Sequence, residues 1–414
     1  RQSMGQAAVN AAAACQYQGV GTVEFLVDDQ GGFYFLEMNT RLQVEHPVTE
    51  LVFGVDLVDW QLQIAAGEPL PLSQEDLSLA GHAIEARLYA EDPANSFMPQ
   101  TGEILVWREA QGAGLRTDHS VQPGDSVSPH YDPMLAKIVA WGRSREEARR
   151  RLLRSLDGTQ LLGLTTNKAF LAQILRDERF IKGQATTAFI DAATVKEASQ
   201  AADPAPCNLA LAAVLFLIDQ AADSSFDEVV GWSWSNALGM ELRQRLATDR
   251  TDDQIKVSFN GLAFSTSVRE ENHEITVHSI ADSEVTASID GVRRRAHYAT
   301  SANTLWLDSA GQTLEIINRT YQPATSEDQV GSGRIAANTE GLVIAVAAKT
   351  GARVAKGDLL VIIEAMKMEH RLLADGEGTV EVVHAQTDTQ VKKGQLMVEL
   401  ALDEDQADER EDAQ

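Results

Sequence analysis

Displaced by 37 residues, the C-terminal part of the sequence falls on itself. Gly341 meets Gly378, Val343 meets Val380, Thr350 meets Thr387, Lys356 meets Lys393, Gly357 meets Gly394 and Leu359 meets Leu396. Ten positions coincide between 341–363 and 378–400. A segment of β-type sequence written twice builds two like halves, each able to bury its apolar face on the other. This region is therefore restricted to a flattened sandwich with approximate two-fold symmetry. The connection between the halves, Glu364 to Glu377, escapes the repeat and holds Lys367 between Met366 and Met368. A turn between strands presents a lysine rigidly to solvent, as a modifying enzyme or a covalently tethered group requires. For a lone lysine, an ordinary solvated role is the plain expectation. The flanking methionines and the central place in the repeat count against it.

A second pattern lies near the other end. Taken in steps of two, residues 36–45 place Glu37, Asn39, Arg41, Gln43 and Glu45 on one parity and Leu36, Met38, Thr40, Leu42 and Val44 on the other. An extended chain sends alternate side chains to opposite sides, so one strand is expected to line up two carboxylates, two amides and a guanidinium. A solvated edge strand is the bland alternative. The chemistry suggested is the handling of oxyanions. Glu37 and Asn39 are hard oxygen ligands suited to Mg²⁺, and Glu24 on the preceding strand of a hairpin can face them. Arg41 offers a planar fork for carbonate or phosphate, and Glu45 stands where a base would be needed.

Around these two patterns the chain reads as mixed structure. Val20–Val27 and Gly32–Met38 form the hairpin, followed by a helix at Val55–Ala66. Strands are expected at His82–Tyr89, Gly102–Trp107 and Met134–Trp141, and helices at Arg145–Leu156 and Asn167–Leu175. An apolar helix at Asn208–Ala221 precedes short alternating strands from Ile255 to Tyr321. Residues 193–207 and 323–335 read as linkers, and the acidic end, 402–414, as a solvated tail. The 414 residues carry a formal charge of −26, which excludes nucleic-acid or anionic-lipid binding by bulk charge. The apolar run Leu209–Ile218 is about half of what a bilayer span needs. Two cysteines, Cys15 and Cys207, make no disulfide framework, which fits a reducing compartment. The first residue is Arg1, inside a run that reads as helix without a cap, so the true N-terminus is expected further upstream.

Ala365-Met366-Lys367-Met368 resembles the attachment signature of biotinyl domains. The stretch Glu37-Met38-Asn39-Thr40-Arg41-Leu42-Gln43-Val44-Glu45-His46-Pro47-Val48-Thr49-Glu50 is similar to the ATP-grasp domain of biotin carboxylases. That likeness runs over about 1–192 and includes Gly114-Leu115-Arg116 and Tyr131-Asp132-Pro133-Met134-Leu135-Ala136-Lys137, the latter taken as scaffold. Together they identify the chain as resembling the α subunit of biotin-dependent acyl-CoA carboxylases. The fold implied is multidomain α+β. It comprises the C-terminal part of an ATP-grasp biotin carboxylase (1–75 and 76–192), a helix-plus-β-barrel middle domain (208–322) and an all-β biotinyl domain (336–401).

The resemblance implies biotin on Lys367, Glu24, Leu26 and Glu37 at ATP, and Glu24, Glu37 and Asn39 at Mg²⁺ or Mn²⁺. It implies Arg41, Gln43 and the backbone of Val44 as bicarbonate binders, Glu45 as the base, and Arg116 as the cation facing the biotin enolate. The reaction implied is ATP-dependent carboxylation of biotin with bicarbonate. Carboxybiotin on Lys367 is then carried to a carboxyltransferase (β) subunit, where an acyl-CoA is carboxylated. The interval 193–335 is too short to hold a transferase, so the partner is expected to be a separate chain. Among acyl groups 3-methylcrotonyl-CoA is favoured, with geranyl-, propionyl- or acetyl-CoA as alternatives and a non-catalytic carrier as a different class. A biotin protein ligase is the other expected partner. The location is expected to be the bacterial cytoplasm or, second, the mitochondrial matrix. The Gly-rich lid and its ATP-binding lysine are not in this sequence, so the chain alone is expected to turn over slowly or not at all. The other histidines, and the pair Trp232 and Trp234, carry no expected role.

Overall fold

A computed structural model describes residues 1–186, 188–190, 203–223, 242–260, 262–309, 311–321, 333–365, 368–392 and 394–402. Met366, Lys367, Trp232, Trp234, most of both expected linkers and the acidic tail lie outside the described residues. The chain divides into two compact units. One comprises 1–87, 109–119 and 136–158; the other comprises 88–108, 120–135 and 159–414.

In the first unit, Thr22–Val27 and Phe33–Asn39 pair as an antiparallel hairpin. Asp28 shapes its turn, with Oδ1 accepting from the backbone N–H of Gln30 and Gly32. The register steps between Glu24 and Phe25, so Leu36 is the extra residue of a bulge. Glu24 then lies opposite Glu37, Thr22 opposite Asn39 and Leu26 opposite Tyr34, all on one face. Phe25 packs edge-on against Phe33 and Phe35 on the other face.

The expected strand through residue 45 is not formed. The strand ends at Asn39, and a helix begins at His46. Pro47 fixes the first helical turn, and the backbone N–H of Val48 and His46 bond back to the carbonyls of Glu45 and Gln43. Arg41, Gln43 and Glu45 therefore sit on a turn rather than on one strand face. The helix His46–Phe53 stops at Gly54, whose φ is +69°. The next helix, Leu57–Ala65, is capped by Asp56, which accepts from the N–H of Asp59. Beyond residue 80 a three-stranded sheet runs in the order His82–Tyr89, Met134–Gly142, Leu115–His119, with Lys137 opposite Asp118 and Val139 opposite Arg116.

The second unit contains an eight-stranded closed barrel, Leu242–Ala247 through Gln312–Asn318, closed by pairing of the first strand with the last. Its first strand was not expected from the sequence. The helix Pro206–Asp223 is the barrel's core. Every residue from Leu209 to Phe216 is buried, against inward residues such as Val257, Phe264, Ile275, Ala287 and Leu307. A helix apolar on all sides needs such an enclosure. No helix among the described residues is long and apolar enough to cross a membrane.

The expected strand Gly102–Trp107 is two strands with different partners. Gly102–Glu103 pairs with Ser126–Val127, and Val106–Arg108 pairs with Gln160–Leu162. Val106 and Leu162 pack on Trp306 of the barrel, and Lys168 Nζ lies 2.5 Å from Asp308 Oδ2. Truncating Trp306 to Ala is expected to cost about 3–5 kcal/mol. The readout is the denaturant midpoint of the barrel transition, which an unaltered midpoint would contradict.

The repeat is realised strand by strand. Gly341–Val346, Arg353–Val354 and Leu359–Ala365 recur as Gly378–Val383, Gln390–Val391 and Leu396–Leu402. The two four-stranded sheets have corresponding strand orders, and the bulge between Val343 and Ala345 recurs between Val380 and Val382. Equivalent residues Val343 and Val380, Val361 and Val398, and Ile363 and Leu400 meet in one core. The strands Leu359–Ala365 and Met368–Leu373 pair down to Ala365 opposite Met368, so two residues, Met366 and Lys367, join them.

Candidate functional site

Apart from Lys367, which lies outside the described residues, the expected site residues fall within the first unit, in two groups. In the first, Asn39 Nδ2 donates to Glu24 Oε1 at 2.8 Å and to Glu37 Oε1 at 3.3 Å. Carboxylates directly opposite on one sheet face repel each other, and here an amide donor separates them. A divalent cation is the other species that relieves this repulsion. Turned over, the same amide presents Oδ1 beside the two carboxylates. The trio thus fits Mg²⁺ or Mn²⁺ held partly by phosphate oxygens. Among the described residues there is no group of three His, Cys, Asp or Glu able to hold a metal. Leu26 and Tyr34, both exposed, add an apolar surface on the same face.

The second group surrounds the turn that follows. Arg41 is exposed, and its hydrogen bond among the described residues is from Nη1 to the Leu42 carbonyl, at 3.3 Å. Most of its fork faces solvent. The Gln43 carbonyl meets His46 Nδ1 at 2.8 Å, and Lys137 Nζ donates to the Val44 carbonyl at 2.9 Å. Glu45 Oε2 lies 2.6 Å from Arg87 Nη2. Arg87 comes from the strand His82–Tyr89, and Glu85, on the same side of that strand, sits 3.7 Å from Arg87 Nε. Burial pushes the Glu85 carboxyl above its ordinary value, while the charges of Lys137 and Arg87 pull it back.

Arg116 is held by two carboxylates. Its Nη1 donates to Glu50 Oε2 at 2.6 Å, and its Nε and Nη2 grip Asp118 at 2.8 and 2.9 Å. Glu50 is buried and also accepts the N–H of Leu57, so Arg116 ties the two helices to the sheet. The bond to Asp118 holds Arg116 firmly protonated against burial, which works the other way. Burial raises the Asp118 carboxyl, but the bonds and charges of Arg116 and Lys137 outweigh it and hold it below the ordinary range. The guanidinium beside Glu45 is Arg87.

Sequence reasoning missed Arg87, Glu85, Glu50 and Asp118 and took Lys137 as scaffold. One signal was present. Glu85 with Arg87, and Arg116 with Asp118, are charged pairs two apart in strands, and Ala83, Ala86 and Leu88 are buried beside the first pair.

Four family models match the chain. Residues 1–73 match "Carbamoyl-phosphate synthase L chain, ATP binding domain", and 85–192 match "Biotin carboxylase C-terminal domain". Residues 204–319 match "Methylcrotonyl-CoA carboxylase, alpha-subunit, BT domain", and 328–400 match "Biotin-requiring enzyme". The chain thus combines sequence similar to biotin carboxylase, BT and biotin-requiring domains. It is similar to the mitochondrial methylcrotonoyl-CoA carboxylase subunit alpha of Mus musculus, 38% identical over 393 residues, covering 90% of this chain and 54% of that one. The mitochondrial propionyl-CoA carboxylase alpha chain of Mus musculus is 34% identical over 406 residues, covering 90% and 54%. The Arabidopsis thaliana methylcrotonoyl-CoA carboxylase subunit alpha is 50% identical over 193 residues, covering 46% of this chain and 26% of that one. The chain thus spans about half the length of the first two relatives.

Proposed function

We propose that the chain forms part of an acyl-CoA carboxylase α subunit that activates bicarbonate beside a magnesium–nucleotide site and carries biotin on Lys367. The observation that carries this reading is the turn after Asn39. It ends in Glu45, 2.6 Å from Arg87, with the Val44 carbonyl fixed by Lys137. Glu24, Glu37 and Asn39 would hold the metal, which when bound neutralises charge on nucleotide phosphates. Leu26 and the Tyr34 ring offer the apolar surface next to them. Arg41, with most of its fork open, and Gln43 bind bicarbonate, with the Val44 backbone beside them. Glu45 accepts the bicarbonate proton on a carboxylate oxygen. Biotin, when bound, supplies a ureido nitrogen that takes up a carboxyl group and hands it on. Negative charge develops at that acceptor, and a fixed cation stabilises it. We assign this cation to Arg87 rather than Arg116, because Arg116 is engaged by two carboxylates whereas Arg87 stands at the base.

The doubled strand set and the two-residue junction at 366–367 support Lys367 as the attachment point. The model match over 204–319 and the named relatives favour 3-methylcrotonyl-CoA over propionyl-CoA, with the carboxyltransferase on a separate chain. The reducing compartment that the cysteine usage suggests is met by bacterial cytoplasm and mitochondrial matrix alike. The test is affinity purification of the chain from its own cells, followed by an acyl-CoA screen of the complex. A co-purifying carboxyltransferase subunit and preferential carboxylation of 3-methylcrotonyl-CoA are expected. A complex that prefers propionyl-CoA overturns the substrate assignment, and the absence of any transferase subunit overturns the partner.

A further inference from the structure

Lys137, on the strand Met134–Gly142, is a cation held almost out of solvent, with its side chain 12% exposed. Taking an ammonium out of water is costly unless it is paired and hydrogen-bonded. Among the described residues its nitrogen meets the Asp118 carboxylate at 3.2 Å and the Val44 carbonyl oxygen at 2.9 Å. Asp118 has other donors, because both of its oxygens already accept from Arg116, at 2.8 and 2.9 Å. What Lys137 alone supplies is the bond to the Val44 carbonyl.

That carbonyl belongs to the peptide joining Val44 to Glu45, in the turn proposed for bicarbonate. Bicarbonate is an anion, and a carbonyl oxygen turned towards it repels it. A planar trans peptide sends its C=O and N–H to opposite sides, and no described peptide bond is cis. With the oxygen held by Lys137, the Glu45 N–H points the other way, and no described group accepts it. We propose that Lys137 is a positioning residue for the anion. It withdraws the Val44 oxygen and leaves the Glu45 N–H as a donor to bicarbonate, together with Arg41 and Gln43. A charged donor on the carbonyl also polarises the peptide and strengthens that N–H. The inference rests on the reading of this turn as the bicarbonate site, and it adds the group that sets the turn's backbone.

The test is NMR of the 414-residue chain carrying ¹³C-carbonyl valine and ¹⁵N-glutamate. The Val44–Glu45 peptide is the Val–Glu signal lost in Glu45→Gln. Sodium bicarbonate is added at fixed ionic strength, with chloride as the reference anion. In the wild type the Glu45 amide is expected to shift saturably with bicarbonate and not with chloride, while the Val44 carbonyl carbon keeps its hydrogen-bonded position. Lys137→Met is expected to move the carbonyl carbon before any anion is added. It should also weaken bicarbonate binding by roughly 10–100-fold, the usual worth of a hydrogen bond to a charged group. K137R is expected to restore both. Wild-type bicarbonate affinity in K137M overturns the inference. So does a wild-type carbonyl that leaves Lys137 as bicarbonate binds, and this observation decides alone should K137M fail to fold. A wild-type Glu45 amide that ignores bicarbonate overturns the reading of the turn as the anion's site, and the inference with it.

Discussion

With Glu45 replaced by Gln, bicarbonate-dependent release of phosphate from ATP is expected to fall by about 10²–10⁴-fold in any form of the subunit that turns over. The amide keeps the size of the side chain and can still meet Arg87, so the fold is retained. It cannot take the bicarbonate proton. Arg87→Met is expected to lower carboxylation by about 10²–10³-fold, the usual cost of losing one preorganised donor at a developing charge. Arg116 is the discriminating control. Its three bonds go to Glu50 and Asp118, and Glu50 is only 5% exposed. R116M is expected to cost about 1.5–3 kcal/mol of stability, as loss of a hydrogen bond to a charged group does. Turnover per folded molecule changes far less than in R87M. The measurement is phosphate release per folded protein, with thermal unfolding alongside. Equal catalytic losses in R87M and R116M would count against the assignment of the cation to Arg87.

Substituting Gly378 by Val is expected to unfold the repeat domain. A Cβ at 378 would meet the Ala401 carbonyl oxygen, and one at 341 the Glu364 carbonyl oxygen, closer than real Cβ contacts allow. These two positions are equivalent under the 37-residue shift, and so are the two oxygens that they would strike. Both oxygens belong to backbone in paired strands, so neither can move without breaking the ladder. A domain of about this size buries a small core and has little stability in reserve. A loss of more than about 4 kcal/mol, the range of severe single substitutions, leaves it unfolded. Limited proteolysis of G378V should remove the segment after 333 while the barrel persists. G341V should behave alike, and a protease-resistant C-terminal segment in either variant would show that the close approach is relieved.

The two sequence patterns were legible to different depths. The repeat carried its own register, because ten coincidences fix which residues are equivalent. The strand ranges, sheet orders and bulges then follow the same 37-residue shift. The helix over 208–221 was legible from its apolar run Leu209–Ile218, whereas the barrel that encloses it was implied only by the family resemblance. The row from Glu37 to Glu45 misled beyond Asn39. Polar alternation shows which side chains share a face but not where a strand stops, and here Pro47 and the Gln43 carbonyl set up a helix start first. Arg87 and Lys137 were hidden because they reach the site through cross-strand register. Lys137 is opposite Asp118 only once the sheet has formed. The first barrel strand, Leu242–Ala247, places the buried Gln244 between Leu242 and Leu246 in its inward row, which interrupts its apolar alternation.

Whether Lys367 carries biotin is read directly by intact mass and peptide mapping of the chain after incubation with biotin, ATP and a biotin protein ligase. One biotinyl group, on Lys367 and on no other lysine, is the expected result. A lipoyl group there, biotin on another lysine, or an unmodified Lys367 in a folded repeat domain would contradict it.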